Sequence, residues 1–356
     1  MKKRNIIIII FAFISMIIYN QFMSDKIIVF ASNTAEIVME VDTNRVVYSY
    51  NENIKKYMAS TTKILTALVI IENCDLNEVV DVKKQTTGIE GSSIYLEAGE
   101  KLTVKELLFG LMLRSGNDCA ETLAVHCSKN ITNFAKLMNE TAKKIGATNS
   151  NFINPHGLHD DNHYTTAYDL ALISCYAMKN DTFREIVGTK SVVIPHTTKN
   201  TTRLLINKNK ILKEVDGATG IKTGYTKKAG RCLVSSAKRN GVEFVCVVLD
   251  CPSMFQTSKT LLNNCLNNYK QYKIIDKNEI LTFIKVKNGE KCPVCVKNDI
   301  ILPLTLEEKQ NISVKIEAPN ILDKPIKKDK EIGIVKIYCK NNLLFTEKLY
   351  SILNIE

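Results

Sequence analysis

Three short stretches hold residue types that can do chemistry together: Ser60-Thr61-Thr62-Lys63, Ser115-Gly116-Asn117 and Lys222-Thr223-Gly224. Ser60 and Lys63 stand three apart at the head of an apolar run. On a helix they share one face, so the amine reaches the hydroxyl. Taken alone, a serine at a helix start is an ordinary cap and the lysine an ordinary solvated side chain. A nucleophile beside its base requires more, because a lysine accepts a proton only when neutral. Burial or a neighbouring cation lowers its pKa, and Lys222 is the candidate cation. The positive end of the helix dipole near Ser60 would favour a developing oxyanion.

The elements that must position these groups follow from the patterns around them. "AEIVMEVDTNRVVYSYN" has two β-rich runs about Asp42-Thr43-Asn44 and predicts a hairpin. From Lys63 the pattern turns helical, and "TVKELLFGLMLRS" and "DCAETLAVHCS" flank a sharp break at Ser115-Gly116-Asn117. Further helices are expected at 131–146 and 166–179, the latter opening with the capping pair Thr166 and Asp169. "GIKTGYTKKAGRCLVSSAKRNGVEFVCVVLDC" then predicts an antiparallel meander with a turn at Asn240-Gly241, and a helix over 255–272 closes this part. Strand, helices, then strands predict an α+β fold, an antiparallel sheet flanked by helices. From about Ile275 short alternating runs separated by Gly, Asn-Asn and Pro-Asn turns predict a small all-β C-terminal domain.

The expected organisation is 1–31 as a signal peptide, 32–274 as the catalytic domain and 275–356 as the β-rich domain. Lys2, Lys3 and Arg4 precede an apolar run from Ile6 to Ile18, followed by Val29 and Ala31, the order of a secretory signal cleaved after Ala31. An uncleaved N-terminal segment would give membrane association. The body is expected outside the cytoplasm, at the cell wall or the outer face of the membrane. The formal charge of +11 falls to +8 without the first 31 residues, and the lysines are scattered. With no aromatic-interleaved basic stripe, nucleic acid is excluded as a partner; a polyanionic wall or membrane surface suits the charge better.

The 11 cysteines are odd in number and mostly sit in apolar patterns, where they act as small core residues. Cys292 and Cys295 form a C-x-x-C, expected as a local disulfide or two free thiols rather than half of a zinc site.

The motifs S-x-x-K, S-x-N and K-T-G, in this order and in helix, inter-helix and strand contexts, resemble those of penicillin-binding proteins. The chain resembles D-alanyl-D-alanine carboxypeptidases of the low-molecular-mass group from about Ala35 to Cys251. It does so also in "GSSIYLEAGEKLTVKELLFGLMLRSGNDCAETLA", "NFINPHGLHDDNHYTTAYDLA" and "GATGIKTGYTKKAGRCLVSSAKRNG". The resemblance implies the β-lactamase/D,D-peptidase-like fold and a serine acyl-enzyme that removes the terminal D-alanine from peptidoglycan stem pentapeptides. It implies β-lactam antibiotics as covalent inhibitors and no cofactor. Ser60 is then the nucleophile and Lys63 the general base, while Ser115 and Asn117 relay protons and position substrate. Lys222 and Thr223 bind the terminal carboxylate, Gly224 lets the peptide lie against the sheet edge, and the N–H groups of Ser60 and Tyr225 form the oxyanion hole. The family often carries a C-terminal amphipathic anchor; "EKLYSILNIE" is too short for one.

His156, His159 and His163, beside Asp160 and Asp161, have the composition of a metal site, but the run lies in a loop that matches the family's own. No metal is expected there, and His156 is read as lining the cleft or serving the loop. A β-lactamase is disfavoured because the middle motif is S-G-N rather than S-D-N and no E-x-x-L-N segment follows it. A non-hydrolytic β-lactam or peptidoglycan sensor is the alternative from another class, and turnover separates it from an enzyme.

Overall fold

The computed structural model describes residues 33–277, 279–287 and 289–356. The expected signal at 1–31 lies outside the described residues. The chain starts with a hairpin of β1 (Ala35–Glu40) and β2 (Val46–Tyr50). A 3-10 turn over Ala59–Thr62 leads into α1 (Lys63–Asn73), and a small hairpin of β3 (Val79–Asp81) and β4 (Lys101–Thr103) precedes α2 (Val104–Leu113). Next come α3 (Asn117–Ser128), α4 (Ile131–Ile145), α5 (Ala167–Met178) and α6 (Asp181–Gly188). A second small hairpin, β5 (Ser191–His196) with β6 (Thr201–Ile206), and the single turn α7 (Ile211–Glu214) lead to the meander. Its strands are β7 (Ala218–Thr226), β8 (Gly230–Arg239) and β9 (Val242–Leu249), followed by α8 (Met254–Asn268).

The main sheet has the order β2-β1-β9-β8-β7 and is antiparallel throughout. Its central strand β9 is buried along its whole length because it is covered on both faces. Val245, Val247 and Leu249 join the large core under the helices, whereas Phe244, Cys246 and Val248 join a second core that includes Leu262 and Leu266 of α8. This period-two division between two helical layers explains an unbroken apolar run.

Local signals set several boundaries. Thr166 accepts the Asp169 N–H at the start of α5, Asn130 caps α4 through Asn133 N–H, and Gly146 ends α4 at a φ of 99°. Asn240 and Gly241, both at positive φ, form the two-residue β8-β9 turn. The helix expected to reach residue 272 stops at Asn268, and β10 (Lys270–Ile275) follows directly. The alternation of Tyr272 and Ile274, which pack on the C-terminal core, fits a strand better than a helix end.

The C-terminal part contains β10, β11 (Thr282–Val286), β12 (Lys291–Cys295), β13 (Ile300–Leu304), β14 (Ile312–Glu317), β15 (Ile321–Leu322), β16 (Glu331–Cys339) and β17 (Asn342–Ser351). A short helix, α9 (Leu306–Gln310), has a Thr305/Glu308 capping box. A six-stranded sheet runs β14-β16-β17-β12-β11-β15, and β10 pairs with β13. Cys292 and Cys295 lie on β12 and are free thiols. Three positions apart on an extended strand is about 10 Å, beyond disulfide reach, so of the two states expected it is the free one that the strand permits. No described helix is long and apolar enough to cross a membrane.

Candidate active site

Ser60 lies in the 3-10 turn that runs into α1, and Lys63 is the first residue of that helix. The residue before the nucleophile candidate, Ala59, is buried at a φ of 48°, a left-handed conformation that a non-glycine residue adopts only when its surroundings hold it. Gly157 is one of those surroundings. A Cβ there would come within 1.9 Å of the Ala59 carbonyl oxygen, so only glycine allows the 154–158 loop to close on this turn. Gly224 of β7 presses from another side, its missing Cβ leaving 3.0 Å to the Ser60 nitrogen and 3.1 Å to the Met58 oxygen. Close support of the serine turn is thus a structural demand on Gly224, distinct from the expected passage of a peptide along the sheet edge.

Lys63 is fully buried, and its Nζ makes three contacts: Ser60 Oγ at 3.1 Å, Asn117 Oδ1 at 2.7 Å and the His156 carbonyl at 2.6 Å. The Asn117 amide orientation is fixed because Nδ2 donates to the Glu90 carbonyl. Burial, and then the charge of Lys222, hold the Lys63 amine well below the usual lysine range. A neutral amine has two N–H donors and one lone pair. The Asn117 and His156 oxygens can only accept, so they take both donors and leave the lone pair directed at the Ser60 hydroxyl. An amine held this way can accept the Ser60 proton.

Ser115 and Asn117 occupy the break between α2 and α3. Both are buried, Ser115 at a φ of 64° and Asn117 as the first residue of α3. The next residue, Asp118, is fully buried and accepts from Ser93 Oγ and from the backbone N–H groups of Ile94 and Leu96. It ties the 92–96 loop over the start of α3, and Asn117 N–H donates to Ser92 O in the same seam.

Lys222, Thr223, Gly224 and Tyr225 lie on β7, the edge strand of the main sheet, next to the Ser60 turn. An edge strand leaves one side available to an extended peptide. Lys222 is buried, donates to the Thr223 carbonyl at 2.9 Å and has its pKa lowered to about 7 by burial and then by Lys208. Tyr225 is 64% exposed at the rim.

The His156 ring is engaged away from the serine. Its Nδ1 accepts the Leu158 N–H at 3.1 Å, so Nε2 carries the proton and faces Glu121 Oε1 at 3.3 Å. Burial lowers its pKa, which keeps the ring neutral. What His156 brings to Lys63 is its backbone carbonyl. His163 is buried with Nε2 2.8 Å from Thr62 Oγ1 and Nδ1 accepting from Ile153 N–H, and burial lowers its pKa to about 3. His159 stacks edge-on against Tyr57 and faces Asp161. The three rings therefore turn to different partners instead of converging.

Sequence reasoning missed several contributors. Asp118 and Glu121 look like ordinary helix residues, and a carbonyl leaves no trace in residue type. Lys208, which reaches Ser92 Oγ at 3.2 Å, lowers the pKa of both Lys63 and Lys222 by its charge, and nothing in its surroundings in sequence marks it. Gly157 alone carried a readable signal, a glycine inside a polar loop.

The family described as D-alanyl-D-alanine carboxypeptidase matches residues 25–253, and the penicillin-binding protein 5 C-terminal domain matches residues 269–356. D-alanyl-D-alanine carboxypeptidase DacF of Bacillus subtilis is 32% identical over 310 residues, covering 83% of this chain and 79% of its own. The crystal structure of D-alanyl-D-alanine carboxypeptidase DacD from Francisella tularensis superposes with a TM-score of 0.71 at 27% identity, over 90% of this chain and 93% of that one. Penicillin-binding protein 5 from Haemophilus influenzae shares the fold, with a TM-score of 0.79 at 24% identity over 90% and 96% of the two chains.

Proposed function

The chain belongs to the D-alanyl-D-alanine carboxypeptidase family, and from that premise we propose that Ser60 is the nucleophile and Lys63 the general base of its reaction. The protein is a serine-type D-Ala-D-Ala carboxypeptidase that acts on peptidoglycan stem peptides and is acylated by β-lactams. The observation that carries the residue assignment is the Lys63 amine, whose two donors are occupied by Asn117 and His156 while Ser60 Oγ lies 3.1 Å away.

In this reading Lys63 takes the Ser60 proton as Oγ attacks the carbonyl of the penultimate D-alanine. Ser115 passes a proton to the departing amine, D-alanine leaves, and water attacks the acyl-enzyme to restore Ser60. The substrate lies along the open edge of β7. Lys222 and Thr223 hold its carboxylate, and the N–H groups of Ser60 and Tyr225 stabilise the oxyanion. Asn117 orients Lys63 and binds the substrate amide, and the His156 carbonyl fixes the base.

The reaction belongs outside the cytoplasm, where the substrate is. We infer export by residues 1–31 from their basic head, apolar run and Val29/Ala31 pair; retention of that segment would associate the protein with the membrane.

The test is release of D-alanine from a pentapeptide ending in D-Ala-D-Ala, comparing the parent protein with Ser60→Ala. Release should fall by about a thousandfold or more, because members of one catalytic unit fail together. A Ser60→Ala variant with normal turnover would overturn the assignment. A parent that binds penicillin at Ser60 without releasing D-alanine would point to the sensor instead.

A further inference from the structure

Eight of the eleven thiols are buried; the three that are partly open are Cys74, Cys127 and Cys295. Two of these meet. Cys74 caps the C-terminus of α1, with its N–H on the Ile70 carbonyl, and Cys127 sits in the last turn of α3. The helices pack against each other from the Lys63–Asn117 contact at their N-terminal ends, and at their C-terminal ends the Cys74 and Cys127 thiols are neighbours. Both side chains border the large core and neither belongs to the catalytic constellation. At their other ends the same two helices begin with Lys63 and Asn117.

We propose that Cys74 and Cys127 are a redox modification site, a dithiol that small-molecule disulfides of the glutathione class convert into a Cys74–Cys127 disulfide joining the C-terminal ends of α1 and α3. Their surroundings divide the roles of the two sulfurs. Cys127 is held below the usual thiol range by the neighbouring Cys74 thiol, by Ser128 and by the charge of His126, whereas Cys74 is pushed up by Cys127 and by burial. Cys127 is therefore the attacking thiolate and Cys74 the resolving thiol.

In the first step Cys127 sulfur attacks one sulfur of R–S–S–R, forming a Cys127–S–S–R mixed disulfide and expelling RS⁻. In the second, Cys74 loses its proton to that base, attacks Cys127 sulfur and expels the second thiol. The protein gives up two electrons, and the oxidant leaves as its two reduced thiols. Cys295 provides an internal contrast. It stands on β12 with Cys292 out of disulfide reach, so it can stop only at a mixed disulfide.

The test treats the folded protein with oxidised glutathione and maps its peptides by mass spectrometry. The expected product is a cross-linked peptide pair carrying Cys74 and Cys127, two hydrogens lighter than the dithiol and reversed by a reductant. In Cys74→Ser, Cys127 should instead retain glutathione. In Cys127→Ser, Cys74 should react at least about tenfold more slowly, the difference expected between a stabilised thiolate and a raised thiol. Penicillin acylation reports whether each variant is folded, and the parent's cross-link decides the proposal even if one is not. Stable glutathione on both cysteines of the parent without a cross-link, or reaction at Cys295 alone, would overturn it. Equal rates in the two folded variants would overturn the assigned roles.

Discussion

The Lys63 Nζ lies 2.7 Å from the Asn117 Oδ1, and this contact sets which way the amine faces. With Asn117 Nδ2 committed to the Glu90 carbonyl, the amide cannot turn over and offer a donor to the lysine. Asn117 thus acts on the Lys63 amine as a fixed acceptor, and the His156 carbonyl is a second. A neutral amine between two acceptors has one direction left for its lone pair, and Ser60 occupies it.

Asn117→Asp should convert this acceptor into a counter-charge. A carboxylate beside Lys63 favours the ammonium form and raises the pKa that burial and Lys222 lower. The acid limb of kcat/KM should move to higher pH, with a loss of about a hundredfold or more near neutrality and partial recovery in alkali. A full pH profile checks this; an unchanged acid limb would separate Asn117 from control of the base.

Lys222 should impose an alkaline limb. Its pKa in the folded protein is lowered to about 7, so the ammonium is present below that pH and is lost above it. Binding of a terminal carboxylate by the free enzyme should therefore weaken as pH rises through about 7, with KM rising and kcat/KM falling about tenfold per unit. A bound carboxylate favours the charged lysine, so kcat should change less than KM. Initial rates between about pH 6 and 9 decide it, and a flat KM across that range would remove Lys222 from carboxylate binding.

Gly157→Ala should damage both stability and activity, because its Cβ would meet the Ala59 oxygen at 1.9 Å where the glycine φ is +87°. Gly99 is the control, with the same φ and open space around it. Gly99→Ala should cost only about 1–2 kcal/mol for left-handed backbone, whereas Gly157→Ala should exceed about 3 kcal/mol and slow acylation of Ser60. Urea unfolding and the rate of penicillin acylation measure the two effects, and equal costs at both glycines would refute the packing argument.

Much of this site was legible because its signals are local. Ser60 and Lys63 are one helical turn apart, Ser115 and Asn117 straddle a helix break, and Lys222 to Tyr225 lie on one strand, so three short spacings mark the candidate residues. Thr166 and Asn240-Gly241 mark boundaries through their own hydrogen bonds and dihedrals in the same way. What was not legible depends on contacts between distant segments. The His156 carbonyl could not be read because it is backbone, and Lys208 because its influence is exerted across space. The support that Gly224 gives the serine turn was hidden behind a plausible peptide-binding role. The helix at 181–188 and the hairpin at 191–206 went unassigned, since half-buried amphipathic segments this short leave little periodicity to read.

Arg203 and Glu100 carry the last prediction. Glu100 is fully buried, and the Arg203 guanidinium meets it bidentately, Nη1 and Nη2 each at 2.6 Å, while Nη2 also donates to the Tyr95 carbonyl. The pair clamps the β5-β6 hairpin to the loop that Asp118 holds over the start of α3, so it supports Asn117 from a distance. Arg203→Met leaves the buried carboxylate without its guanidinium, with only the Glu97 N–H and the more distant His196 beside it, and should cost about 3–5 kcal/mol. Adding Glu100→Leu removes the stranded charge and should recover most of that loss, because a buried ion pair replaced by apolar groups of similar volume is close to neutral. Urea unfolding of the two single variants and the double variant measures the coupling. Additive losses would mean that the clamp acts through separate contacts and not through the pair.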